Sequence, residues 1–223
     1  MCSKVVIFDM DGLMVDTEPL QLEALNLVLR PYSIRLSETD WMSYVGKKPK
    51  VNISTIKELY QANFDVETIL CAQQDAYQEL LADKIIPMPG LMNAMNLFQK
   101  LGFKLALASS SKLGSINIIL SKLDLQKVFH VVVSGDHVEH SKPNPEIFLL
   151  VARKLDVKPS HCLVLEDSAP GVNAAASAGM LCIAIPNRFT AANPFNHATL
   201  ILNNLSAITE NTLQDVGFLP LTE

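Results

Sequence analysis

Asp9 and Asp11 stand two positions apart at the end of an apolar run, in VVIFDMDGLMVDTE (residues 5–18). Carboxylates that close repel each other, and alone the pair would be no more than a strand-end turn. Beside a cation, however, an ionised aspartate can attack an electrophilic phosphorus. A second carboxyl at hand can protonate the leaving oxygen and then deprotonate the attacking water. A neighbouring negative charge raises the pKa of one member of such a pair, which suits Asp11 as the proton carrier and leaves Asp9 as the charged nucleophile.

Other strand ends bring matching groups. FKLALAS (103–109) is followed by Ser110 and Ser111, GDHVEHSKPNPEIF places Lys142 just before a helix, and LVLEDSAPG ends in Glu166 and Asp167. Asp9, Glu166 and Asp167 carry three negative charges if Asp11 is protonated; Lys142 offsets one, and a divalent cation would offset the other two. Hard oxygen ligands and a phosphate-sized site point to Mg²⁺. The Ser109 hydroxyl and backbone N–H groups near Gly12 and Ser110 would receive phosphate oxygens. Ser110 and Ser111 fit either that role or a helix cap.

These residues need a scaffold that gathers strand ends. KVVIFD (4–9), FKLALAS, VVVSG (131–135), CLVLED (162–167), LCIAIP (181–186) and TLIL (199–202) read as strands, several apolar at consecutive positions as in a sheet covered on both faces. Helical segments alternate with them, Asn144–Pro145 reads as a helix start, and Gly102 and Gly179 read as helix ends. The pattern predicts an α/β fold with a Rossmann-like doubly wound parallel sheet, whose ligand crevice lies beyond the carboxyl ends of the strands. Residues 17–85 break the rhythm with amphipathic helices and a capping-box pattern, SETD (37–40). The predicted division is therefore a core of residues 1–16 and 86–223 with an all-helical insertion at 17–85.

FDMDGLMVDTE, ASSS, SKPNPEIF and LEDSAPGVNAAASAGM resemble, in order, the four motifs of the haloacid dehalogenase-like hydrolase superfamily. The resemblance spans essentially the whole chain, and the insertion resembles the type 1 cap of its sugar-phosphate phosphatases and β-phosphoglucomutases. It implies Asp9 as nucleophile, Asp11 as acid/base, and Ser109 and Lys142 as phosphate ligands. It also implies a Mg²⁺ site of Asp9, the Asp11 backbone carbonyl, Glu166 and Asp167, with a cap that closes over the crevice and chooses the substrate. DTEP resembles the sugar-phosphate phosphatases, which makes Glu18 a substrate-side candidate, and Lys47 and Lys48 of GKKPK are candidates for substrate contact.

Three enzyme readings compete. A phosphatase lets water take the phosphoryl group; a phosphomutase returns it to another hydroxyl; a dehalogenase lacks the second aspartate and the metal. β-Phosphoglucomutases carry a histidine in the cap hinge where this sequence has Gln21, which favours the phosphatase. A receiver-type phospho-switch also combines strand-end carboxylates, a hydroxyl and a lysine, but the insertion and Asp11 argue for turnover.

The composition agrees with a small-molecule enzyme. With 49% hydrophobic and 18% charged residues the chain is globular, and a net charge of −5 gives no general attraction for nucleic acid or anionic membrane. Cys2, Cys71, Cys162 and Cys182 form no C-x-x-C pair, and no apolar run nears the roughly 18 residues of a membrane span, so a cytoplasmic protein with reduced thiols and a small phosphorylated partner is expected.

Overall fold

Six strands grow from the six apolar runs: β1 Val5–Phe8, β2 Lys104–Ala108, β3 Val131–Val133, β4 Cys162–Glu166, β5 Leu181–Ala184 and β6 Leu200–Ile201. The computed structural model describes residues 4–220. All the strands run parallel in one sheet of order β3-β2-β1-β4-β5-β6. The winding direction reverses between β1 and β4, where sheets of this kind open a crevice. Register fixes what stands there: Phe8 pairs with Leu107 on one side and Leu165 on the other, so Asp9 follows level with Ala108 and Glu166.

The described residues divide into two compact units, one up to Val15 and from Ile86 onward, the other Asp16–Ile85. In the first, the sheet is flanked by α5 Leu91–Lys100, α6 Leu113–Lys122, α7 Glu146–Leu155 and α8 Ala169–Ser177, and α9 Glu210–Asp215 follows near the chain end. Alternate strand residues serve opposite faces. Val5, Ile7, Ala106 and Val164 pack with Ile147, Phe148 and Val151 of α7 and Val172 of α8. On the other face Phe8 meets Phe98 of α5 and Phe129 edge to face, with ring centroids 5.9 Å apart in both pairs. Consecutive burial of β1 is thus a consequence of helices on both sides.

The second unit is helical: α1 Glu18–Leu29, α2 Glu38–Met42, α3 Pro49–Leu59 and α4 Val66–Lys84. Leu25, Leu29, Ile53, Ile56 and Leu81 fill its interior. Ser37 and Asp40 form the expected capping box at α2, and Lys84 closes α4 against Glu23 of α1 at 2.6 Å. α7 begins at Glu146 with Pro145 at the cap position, one residue later than the expected proline-first start, while the Asn144 Oδ1 accepts the Glu146 N–H at 3.0 Å as a capping side chain does.

Cys162 and Cys182 are buried in β4 and β5 and Cys71 is exposed, all three free; Cys2 lies outside the described residues. Among the described residues no helix is long and apolar enough to cross a membrane.

Phe8→Ala is expected to destabilise the sheet unit by about 3–5 kcal/mol, since it empties a fully buried site bounded by two aromatic rings. Urea unfolding measures this, and a loss below about 1 kcal/mol would mean the site collapses around the missing ring.

Candidate active site

The charged centre lies at the carboxyl edge of β1 and β4. Lys142 reaches in from the loop before α7, and its Nζ donates to Asp9 Oδ1 at 2.5 Å, Glu166 Oε1 at 2.6 Å and the Ala108 carbonyl at 3.2 Å. All three side chains are nearly sealed from solvent, at 7% exposure for Lys142, 9% for Asp9 and none for Glu166. Burial alone would lower the lysine's pKa, but the Asp9 and Glu166 carboxylates outweigh it and hold the ammonium above its ordinary value. The Phe148 ring lies 5.0 Å from the same Nζ.

Glu166 is fixed at its other oxygen too: Oε2 accepts the Ser168 N–H at 3.0 Å and its hydroxyl at 2.8 Å, while Ser168 also caps α8. A Cβ on Gly171 would overlap the Glu166 carboxyl, so the first turn of α8 must carry glycine for that carboxylate to fit. One carboxylate oxygen from each of Asp9, Glu166 and Asp167 lies within 4.8 Å of the other two. Three buried carboxylates against one lysine leave negative charge in excess, and hard oxygen donors so arranged fit a divalent cation.

Asp11 faces a different group. Its Oδ2 accepts the Ser109 hydroxyl at 3.1 Å and the Ser111 hydroxyl at 2.8 Å, and the Ser111 N–H donates to Ser109 Oγ at 3.0 Å. Ser111 is not the cap of α6, which is Lys112. Ser110 between them has an exposed side chain. The Gly12 N–H donates to the Val15 carbonyl at 2.8 Å and closes its own turn at φ +83°, so the backbone donors expected near Gly12 and Ser110 do not include it. Asp167 Oδ2 accepts the Asn187 side-chain amide at 2.8 Å, and that amide also reaches the Gly12 carbonyl at 3.2 Å.

The family model for the haloacid dehalogenase-like hydrolases matches residues 6–185, which include Asp9, Asp11, Ser109, Lys142, Glu166 and Asp167 and stop two residues short of Asn187. The chain belongs to that family. It is 35% identical over 177 residues to a phosphorylated carbohydrates phosphatase of Thermotoga maritima, covering 79% of this chain and 82% of the relative. Similarity to the fructose-1-phosphate phosphatase of Escherichia coli is 34% over 176 residues, covering 78% and 92%. Among solved structures, a putative β-phosphoglucomutase of Thermotoga maritima superposes with a TM-score of 0.78 at 31% identity, covering 96% and 99%.

In this haloacid dehalogenase-like hydrolase the helical unit holds a small cavity of its own, about 120 Å³, lined by Glu18, Gln21, Trp41, Lys47, Asn52 and Gln73 among others. The Trp41 indole N–H donates to Glu18 Oε2 at 2.7 Å. Asn52 spends its amide on the Tyr44 carbonyl at 3.0 Å, and its Oδ1 is buried with no partner among the described residues. The three lysines of GKKPK separate: Lys47 lines the cavity, Lys48 stands exposed at the start of α3, and Lys50 pairs with Glu67. Sequence reasoning did not single out Ser168, Gly171, Asn52 or Asn187. Asn187 was within reach, because it follows β5 at the edge where the other strand ends were inspected.

Asp9 is expected to be ionised beside a cation; apart from any cation, burial pushes its carboxyl from 3.8 up to about 8, Lys142 opposing the rise while Glu166 and Asp11 add to it. The folded state therefore keeps that proton to higher pH than the unfolded chain. Stability should fall as the pH rises through this window, because the unfolded chain binds fewer protons there. In chelator, the melting temperature of the wild type relative to Asp9→Asn is expected to drop from about pH 5 to pH 8. A difference that stays flat over that range would contradict burial as the dominant influence on Asp9.

Proposed function

We propose that the chain is a Mg²⁺-dependent phosphoric monoester hydrolase acting on a small phosphorylated metabolite, a sugar phosphate or close relative, through an aspartyl-phosphate on Asp9. The observation that carries this reading is the buried Asp9–Lys142–Glu166 arrangement beside Asp167, with the Asp11 carboxyl held by the Ser109 and Ser111 hydroxyls. The similarity to phosphatases of phosphorylated carbohydrates and of fructose 1-phosphate supports the substrate class.

In the first half-reaction the Asp9 carboxylate attacks phosphorus, and the ester oxygen leaves with the proton of Asp11. In the second half-reaction Asp11 takes a proton from water as the water attacks the phosphorus, releasing inorganic phosphate and restoring Asp9. Lys142 and Ser109 hold phosphoryl oxygens, Ser110 contributes at the loop, and the charge that develops is met by groups already oriented. Held by Asp9, Glu166, Asp167 and the Asp11 backbone carbonyl, Mg²⁺ would supply the positive charge that lets a phosphate dianion approach these carboxylates.

Residues 17–85 serve in this reading as the cap, which selects the rest of the substrate. Its cavity suits a hydroxyl-bearing group, because the unpaired Oδ1 of Asn52 gains a donor from a hydroxyl. Lys47 offers a cation at the cavity, and Glu18 is held there by Trp41. A second reading, a phosphomutase, is favoured by the near full-length likeness to a putative β-phosphoglucomutase. Incubation with β-glucose 1-phosphate separates the two, since a phosphatase yields inorganic phosphate and a mutase glucose 6-phosphate.

With p-nitrophenyl phosphate and Mg²⁺, turnover is expected to need the metal and to fall by about 10²–10⁴-fold in Asp11→Asn. Release of nitrophenol that survives both a chelator and Asp11→Asn would overturn the mechanism. With the native substrate, KM should rise in Lys47→Ala and Asn52→Leu and not in Lys48→Ala; equal KM across all three would remove the cap roles.

A further inference from the structure

Asn187 follows β5 at the same edge of the sheet and takes no part in the chemistry above. Its side chain is oriented without ambiguity. The Phe189 N–H donates to Asn187 Oδ1 at 2.8 Å, so the carbonyl end of the amide is committed and the NH₂ end must face the other way. That end donates to Asp167 Oδ2 at 2.8 Å and to the Gly12 carbonyl at 3.2 Å.

The residue is also held from behind. Its own N–H donates to Thr190 Oγ1 at 3.0 Å, and its carbonyl accepts the N–H groups of Thr190 at 3.1 Å and Ala191 at 2.9 Å. Phe189 and Thr190 are both buried, which anchors this turn in the sheet unit. On the opposite side, a Cβ on Gly12 would overlap both the Asp167 carboxyl and the Asn187 amide. Asp167 is therefore clamped between a rigid turn after β5 and a residue that only glycine can be.

We infer that Asn187 is a positioning residue for the cation site: it fixes the orientation of the Asp167 carboxylate and ties the loop that follows Asp11 to it. The inference rests on the reading that Asp9, Glu166 and Asp167 hold a divalent cation. A ligating carboxylate free to rotate must give up that freedom on binding, whereas one already hydrogen-bonded at a second oxygen is preorganised. Partners of this outer kind typically change metal affinity or activity by about 10–100-fold when removed.

Two variants of the full chain test it. Asn187→Leu keeps the branched shape and removes both polar ends. Asn187→Ser retains an oxygen able to accept an N–H two residues on but is too short to reach Asp167. Calorimetric titration of the metal-free proteins with Mn²⁺ is expected to show affinity lowered by about 10–100-fold in both variants. Melting of Asn187→Ser in chelator should match the wild type, and kcat at saturating Mg²⁺ should be largely retained. If Asn187→Leu does not fold, Asn187→Ser decides alone. Affinities within about twofold of wild type, or weakened binding that merely follows a lower melting temperature in chelator, overturn the inference. A wild-type protein that takes up no divalent cation overturns the underlying site as well, and that result appears in the wild type before any variant is compared.

Discussion

A lysine buried between two buried carboxylates is the constraint from which the rest of the site follows. Moving charges out of water costs several kcal/mol per ion even in real proteins, and is offset only by close pairing and further hydrogen bonds. Lys142 receives that pairing from Asp9 and Glu166 and a third acceptor from the Ala108 carbonyl. Glu166 in turn needs Ser168 at the start of α8 and the missing side chain of Gly171. Parallel strands deliver Asp9 and Glu166 side by side, and the loop before α7 delivers the lysine. Even so, the pairing is incomplete, because Asp167 adds a carboxylate that Lys142 does not touch. The excess charge makes the site receptive to a divalent cation, and burial without one drives the Asp9 carboxyl towards its protonated form.

Much of this was legible in the order of the residues. Strands covered on both faces leave consecutive apolar runs, so β1 to β6 could be read directly, and a parallel sheet collects the residues that follow them at one edge. Asp9, Lys142, Glu166 and Asp167 were found for that reason. What escaped was set by side-chain direction and not by position. Nothing in ASSS says that the first and third serines turn to Asp11 while the second faces solvent. Nothing in DMDG says that the Gly12 amide is consumed by its own turn. Asn187 belongs to a loop whose shape depends on hydrogen bonds to Phe189, Thr190 and Ala191 further on, and its importance shows only when its amide meets Asp167.

The helical unit illustrates a second limit. Its helices and its capping box could be read from amphipathic spacing and the Ser37–Asp40 pattern. The cavity could not, because it is formed by side chains from α1, α2, α3 and α4 and the segments between them. A buried amide oxygen without a partner, as in Asn52, is costly enough that it draws attention to a hydroxyl or water donor. Lys47 and Lys48 are neighbours in sequence with equal charge, yet only Lys47 lines that cavity. Equal charges in a run are separated by the backbone, and sequence alone assigns them equal weight.

The central claim is that Asp9 becomes covalently phosphorylated. The most direct measurement is acid quenching of the wild-type protein during steady turnover of a labelled phosphate ester, followed by peptide mapping of the label. The expected result is a hydroxylamine-sensitive phosphoryl group on the peptide containing Asp9, absent in Asp9→Asn. Turnover with no phosphorylated aspartate, or with the label on another residue, would contradict it.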